Sequence, residues 1–210
     1  MLAFAAALMA SLAASGQPAF RGHSEPIEGK VRDRIVGSSW HRGCPVGLGE
    51  LRLLELTYRD FDGDAKHGRL VVNARYDDEL LAVFKRLYNI GYPIRKMSLV
   101  DRYDANDSRS TRADNTSAFN CRFVAGTTRW SMHAYGLAID VNPVENPYVS
   151  GSHFTPPNGE PYLDRSRNAP GMIHDGDKVE KAFSRRAGWG WLGDGPQSIR
   201  DYQHFSSTGN

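Results

Sequence analysis

Ser131-Met132-His133-Ala134-Tyr135-Gly136-Leu137-Ala138-Ile139-Asp140 places an imidazole and a carboxylate on either side of a turn of small residues. Near the C-terminus, Asp201-Tyr202-Gln203-His204 sets a second carboxylate three residues before a second imidazole. A catalytic zinc site takes three protein ligands, keeps one position open for water and needs a base for that water. His133, Asp140 and His204 can supply the ligands and Asp201 the base. Ligand nitrogens and oxygens must lie about 2.0–2.2 Å from the ion, so the chain has to swing His133 back toward Asp140. Gly136 permits the backbone geometry for that swing. A helical turn or tight bend over residues 201–204 would point Asp201 and His204 the same way. Asp201 would then sit outside the ligand set, ready to take a proton from water. His23, His41, His67, His153 and His174 lack such a pattern and read as surface or structural residues.

These side chains need elements to hold them. Leu137, Ile139 and Val141 alternate with Ala138, Asp140 and Asn142, which reads as a half-buried strand with Asp140 on the cleft face. Leu51 to Tyr58 and Leu70 to Val72 read as strands, as does Met97 to Val100. Leu80, Leu81, Phe84, Leu87 and Tyr88 recur at helical spacing, which predicts a helix from Asp77 to Ile90, stopped by Gly91. A second, shorter helix is expected over Asp177 to Arg186, with Gly188 as its stop. Residues 101–118 and the Pro- and Gly-rich stretch 143–176 read as loops, the latter of a length that often frames a substrate cleft. Trp130, Trp189 and Trp191 read as core or cleft walls.

The chain of 210 residues is long enough for one domain with a real core. A net charge of +2, with no Lys/Arg run, gives no support to nucleic-acid binding. Residues 1–16 are apolar and small and read as a signal peptide, although no Lys or Arg precedes the apolar run. The expected localisation is therefore secreted, cell-wall or periplasmic, with no stable membrane insertion once that segment is removed. Residues 17–37 read as a linker or extended arm, 38–206 as the catalytic domain and 207–210 as a tail. Cys44 and Cys121 could form one disulfide or remain two buried thiols. A monomer is expected.

Taken together, these residues resemble the zinc D-alanyl-D-alanine carboxypeptidases, a group that also holds phage L-alanyl-D-glutamate endopeptidases and the Hedgehog signalling domain. The likeness extends to Asn115-Thr116-Ser117-Ala118-Phe119-Asn120-Cys121-Arg122, Ile139-Asp140-Val141-Asn142-Pro143 and Asp201-Tyr202-Gln203-His204-Phe205, and to Gly68–Asn73 and Asp164-Arg165-Ser166. It implies a single α+β domain in which a small antiparallel sheet with flanking helices carries the zinc. It implies His133, Asp140 and His204 as zinc ligands, and a base at Asp201, where many relatives have Glu. It also implies an arginine that holds a substrate carboxylate or the developing oxyanion, for which Arg122 is the candidate, with Ser117 lining the same pocket. The expected substrate is a peptidoglycan stem peptide cut at D-Ala-D-Ala. An L-Ala-D-Glu endopeptidase and a zinc-bearing wall-binding module without turnover are the alternatives. A penicillin-sensitive serine peptidase is excluded, because no serine has a lysine three residues after it.

Overall fold

Residues 18–195 and 198–209 are described by a computed structural model. The first strand, β1 (Gly22–Pro26), and the helix α1 (Gly29–Ile35) fall within the stretch read as a linker or arm. β1 pairs with the next strand, and Ile27 and Ile35 enter the core, so this polar stretch is anchored by a few apolar residues. β2 (Leu51–Arg59) and β3 (Ala65–Asn73) complete an antiparallel sheet in the order β1-β2-β3. Strand alternation sends Leu54, Leu56, Leu70 and Val72 to one face and Leu51, Leu53 and Val71 to the other. The first face receives α2 (Asp77–Asn89) through Leu80, Val83, Phe84 and Leu87. Three acidic residues in its first turn complement the helix dipole, and Gly91 beyond its end takes a positive φ of 72°.

The expected strand after α2 shrinks to β4 (Lys96–Met97), because the chain turns into a 3-10 helix at Val100–Tyr103. The polar segment 101–118, expected as loop, contains α3 (Asp107–Arg112) and β5 (Asn115–Thr116). Asn106 caps α3 by accepting from the Arg109 amide at 2.9 Å, and Asn115 bonds Ser110 and the Ser98 carbonyl, so polar contacts replace an apolar stripe. β6 (Ala138–Asp140) carries the first motif. The expected loop 143–176 forms a hairpin, β7 (Tyr148–Ser150) with β8 (His153–Thr155), and a 3-10 turn at Pro157–Tyr162. The second helix, α4 (Glu180–Ala187), starts three residues later than expected. Asp177 is its cap, accepting from Val179 N at 2.7 Å and Glu180 N at 2.8 Å, and Gly188 ends it at φ 68°. β9 (Gly190–Trp191), β10 (Ile199–Asp201) and β11 (His204–Ser206) follow. β10 pairs with β7, and β11 lies between β6 and β9.

The protein is thus a mixed α+β domain with small antiparallel sheets and one short parallel pair, β4 with β5. Its main core lies among α2, α4 and the two principal sheets. There Phe84 meets Phe183 edge-on at 6.3 Å, and Phe183 stacks on Phe205 of β11 at 3.9 Å. Ile139, Val141 and Phe205 therefore root the strands that carry Asp140 and His204 in this core. A second apolar cluster covers the other face of the first sheet, and the Cys44–Cys121 disulfide is formed beside it. Ser207, placed in the tail by sequence, donates to the Leu137 carbonyl at 3.0 Å. Residues 1–16 lie outside the described residues. Among the described residues no helix is long and apolar enough to cross a membrane.

Candidate metal centre

His133 lies in a single 3-10 turn, Met132–Tyr135, entered through Ser131, whose Oγ accepts from the His133 amide at 3.3 Å. Gly136 closes the turn at φ 67°, and a Cβ there would stand 2.6 Å from the Asn73 amide nitrogen. That amide donates to the Gly136 carbonyl at 2.9 Å, which ties the motif to the end of β3. Only glycine satisfies both demands. The His133 Nδ1–H donates to the Ala118 carbonyl at 2.6 Å. In the neutral ring this fixes the tautomer and leaves Nε2 a bare acceptor.

Asp140 and His204 face each other directly across the β6–β11 ladder. The expected half-buried strand is buried on both sides. The second side is covered by the Ser117 segment, whose backbone exchanges two hydrogen bonds with Asp140, at 3.0 and 2.9 Å. Asn142, expected on the cleft face with Asp140, instead leaves the strand at φ 44°. Its amide braces Pro93 and the Arg95 backbone.

The three predicted ligands converge. His133 Nε2 is 3.2 Å from Asp140 Oδ2 and 3.3 Å from His204 Nδ1, and His204 Nδ1 is 3.1 Å from Asp140 Oδ1. Tetrahedral bonds of about 2.0–2.1 Å set neighbouring ligand atoms about 3.3 Å apart. The two imidazole nitrogens match that spacing, each meets a different oxygen of Asp140, and one ligand atom from each residue lies within 4.8 Å of the others. All three side chains are buried, and two imidazole nitrogens held this close need a cation or a proton between them. Burial opposes the charge on Asp140, yet the two imidazoles hold its carboxyl well below the usual carboxylate range. Burial also disfavours the charged form of His204, but its hydrogen bond to Asp140 raises it overall. These groups fit a divalent ion.

Asp201 ends β10, and Tyr202-Gln203 turn the chain into β11, so the bend expected over 201–204 is a tight connection between strands. The turn is pinned by the Trp191 indole donating to the Tyr202 carbonyl at 2.8 Å, and by Arg165 lying over the Tyr202 ring at 4.2 Å. Burial, reinforced by the Asp140 charge, lifts the Asp201 carboxyl to about 6, against the pull of His204 and the Gln203 amide. Asp201 Oδ1, Gln203 Oε1 and Arg122 Nε are buried without a hydrogen-bond partner among the described residues. Buried polar atoms rarely stay unsatisfied. The unpartnered atoms of Asp201 and its neighbour Gln203, with Arg122 close to His204, mark a place where water or substrate belongs.

Arg122 is near enough for its charge to lower His204, but one guanidinium edge is engaged by Asp107 of α3 at 3.0 Å. The hairpin between Arg122 and Ser131 carries Phe123 stacked on Trp130 at 4.0 Å, with Phe123 45% exposed. Trp189 and Trp191 are core residues, as read from sequence. A second grouping, His41 with Cys44 and Cys121, offers no thiolate because its sulfurs are joined to each other.

The sequence reading missed the Ala118 carbonyl, which no side-chain pattern can reveal, and the roles of Gln203 and Asp107. Gln203 lay in plain view between two chosen residues, yet only the fold brings its side chain against Asp201.

Residues 125–207 match the family model described as D-alanyl-D-alanine carboxypeptidase. The matched segment contains His133, Asp140, Asp201 and His204, and it supports a metallopeptidase at family level. Arg122 and Ser117 lie just outside it. No curated protein and no solved structure matches the chain significantly.

Proposed function

We propose that this protein is a zinc peptidase that removes the terminal D-alanine from peptidoglycan stem peptides ending in D-Ala-D-Ala. The observation that carries the reading is the buried His133–Asp140–His204 triangle with an unpartnered carboxylate oxygen of Asp201 beside it. The family match over the same segment agrees with it. Zinc, when bound by the three side chains, would polarise the scissile carbonyl and acidify water. Asp201 takes the proton from the attacking water and passes it to the leaving amine as the C–N bond breaks. Burial raises the Asp201 carboxyl in the metal-free protein, which makes it a better proton acceptor than an exposed aspartate. Arg122 offers the terminal carboxylate of the substrate a planar, bidentate donor. Ser117, expected to contact substrate, holds the Asp140 strand through its backbone. The apolar residues 1–16 and the Cys44–Cys121 disulfide support a site of action outside the cytoplasm.

The test is chelation and zinc readdition in an assay of a stem pentapeptide, with products identified by mass. Release of free D-alanine that returns with zinc supports the reading. Cleavage only between L-Ala and D-Glu would replace it with the endopeptidase. No zinc-dependent product from any wall peptide would favour the binding module.

A further inference from the structure

The sequence has no run of basic residues, yet the fold assembles a basic cleft. A concavity of about 690 Å³ is bordered by Arg21, His23, Arg34, His67, Arg69 and Arg102. These come from the segment entering β1, from β1, α1 and β3, and from the 3-10 turn at Val100–Tyr103. The cleft has an apolar part in Leu56, Met97 and Leu99. There Gly68 packs so closely that a Cβ would meet Met97 Sδ at 2.5 Å.

The whole chain carries only +2, so the clustering does not follow from general basicity. Glu55 is the only acidic residue that lines the cleft, and it is already engaged, 2.5 Å from Arg69 Nη2 and 3.8 Å from His23 Nε2. Arg21, Arg34 and Arg102 make no ion pair among the described residues. Three unpaired guanidiniums gathered in one concavity, beside the Arg69–Glu55 pair and a His23 flanked by Glu25 and Glu55, raise the local potential and concentrate anions. The use of arginine rather than lysine favours oxyanions, carboxylate or phosphate, that a planar guanidinium can bind through two donors. None of the lining residues belongs to the His133–Asp140–His204 centre.

We propose that this cleft binds the oxyanions, phosphate or carboxylate, of an extended cell-wall polymer, and so retains the protein in the matrix that holds its substrate. The wall assignment rests on the peptidase reading; the anion site does not.

The test uses the full chain with two probes, inorganic polyphosphate and poly-L-glutamate, titrated at low and high salt. The variant R34A/R102A removes two exposed guanidiniums from the cleft, and R185A/R186A removes the same charge from exposed positions on α4. Wild type and R185A/R186A should bind at least one probe in a salt-sensitive manner, and R34A/R102A about tenfold more weakly. The probe preferred tells phosphate from carboxylate. Cleavage of a small soluble peptide by R34A/R102A should match wild type. Absence of binding to both probes, or equal losses in the two double variants, would overturn the anion site. Much tighter binding of single-stranded DNA than of polyphosphate would overturn the wall polymer in favour of nucleic acid. Intact probe binding with no peptidase activity on any wall peptide would overturn the wall assignment and leave the anion site standing.

Discussion

Asp201→Asn should separate catalysis from stability in opposite directions. The substitution keeps the size of the side chain and removes its charge. In the metal-free protein, burial raises the Asp201 carboxyl from 3.8 to about 6. Holding it ionised in the fold therefore costs on the order of 3 kcal/mol. Its folded value lies above its unfolded one, so the native state binds the extra proton between those values. Wild-type stability contributed by this group is present below pH 4, falls through the interval and stays lost above about pH 6. Asparagine does not titrate. Urea denaturation of metal-free protein should show the variant more stable at pH 8, by up to about 3 kcal/mol, with the advantage gone at pH 4. Turnover of the stem peptide by the zinc-loaded variant should fall by about 10²–10⁴, with zinc still bound. Parallel pH–stability curves for the two proteins would refute the burial argument. Turnover within a few-fold of wild type would remove Asp201 as the base.

Two further outcomes follow from the same geometry. Gly136→Ala forces a side chain into φ 67° and against the Asn73 amide at 2.6 Å, so it should cost about 2–4 kcal/mol in denaturation and weaken zinc binding by displacing His133; a change below 0.5 kcal/mol would contradict it. Glu145 is lifted from 4.5 to about 8 by burial and by Asp114, with Arg95 only 3.3 Å away as partial compensation. Glu145→Gln should therefore be more stable than wild type at pH 9 and lose that advantage toward pH 4.5, as thermal melts across pH would show; an advantage at low pH instead would reverse the sign of the argument.

The convergence of His133, Asp140 and His204 could be read from sequence because their chemistry lies in side chains at fixed spacing, and β6 and α2 because their apolar residues repeat at the period of the element. What escaped was held by other means. α3 has no apolar stripe; its Ser110 and Thr111 are buried and Asn106 caps it, a pattern that in sequence looks like loop. β7 and β8 are three residues each, and the hairpin they form is completed by β10, which pairs with β7 from far along the chain, so no local period announces them. β1 is mostly exposed and owes its existence to the free edge of β2. The bracing of His133 by a backbone carbonyl and the gathering of Arg21, Arg34, Arg69 and Arg102 are products of tertiary folding alone.

Metal stoichiometry tests the central claim most directly. Elemental analysis of purified protein, loaded with zinc and freed of excess, should find one zinc per chain in the wild type and in Asp201→Asn. It should find essentially none in His133→Ala, Asp140→Ala or His204→Ala variants that remain folded by circular dichroism. Wild-type protein without zinc, or folded ligand variants that retain it in full, would contradict the account.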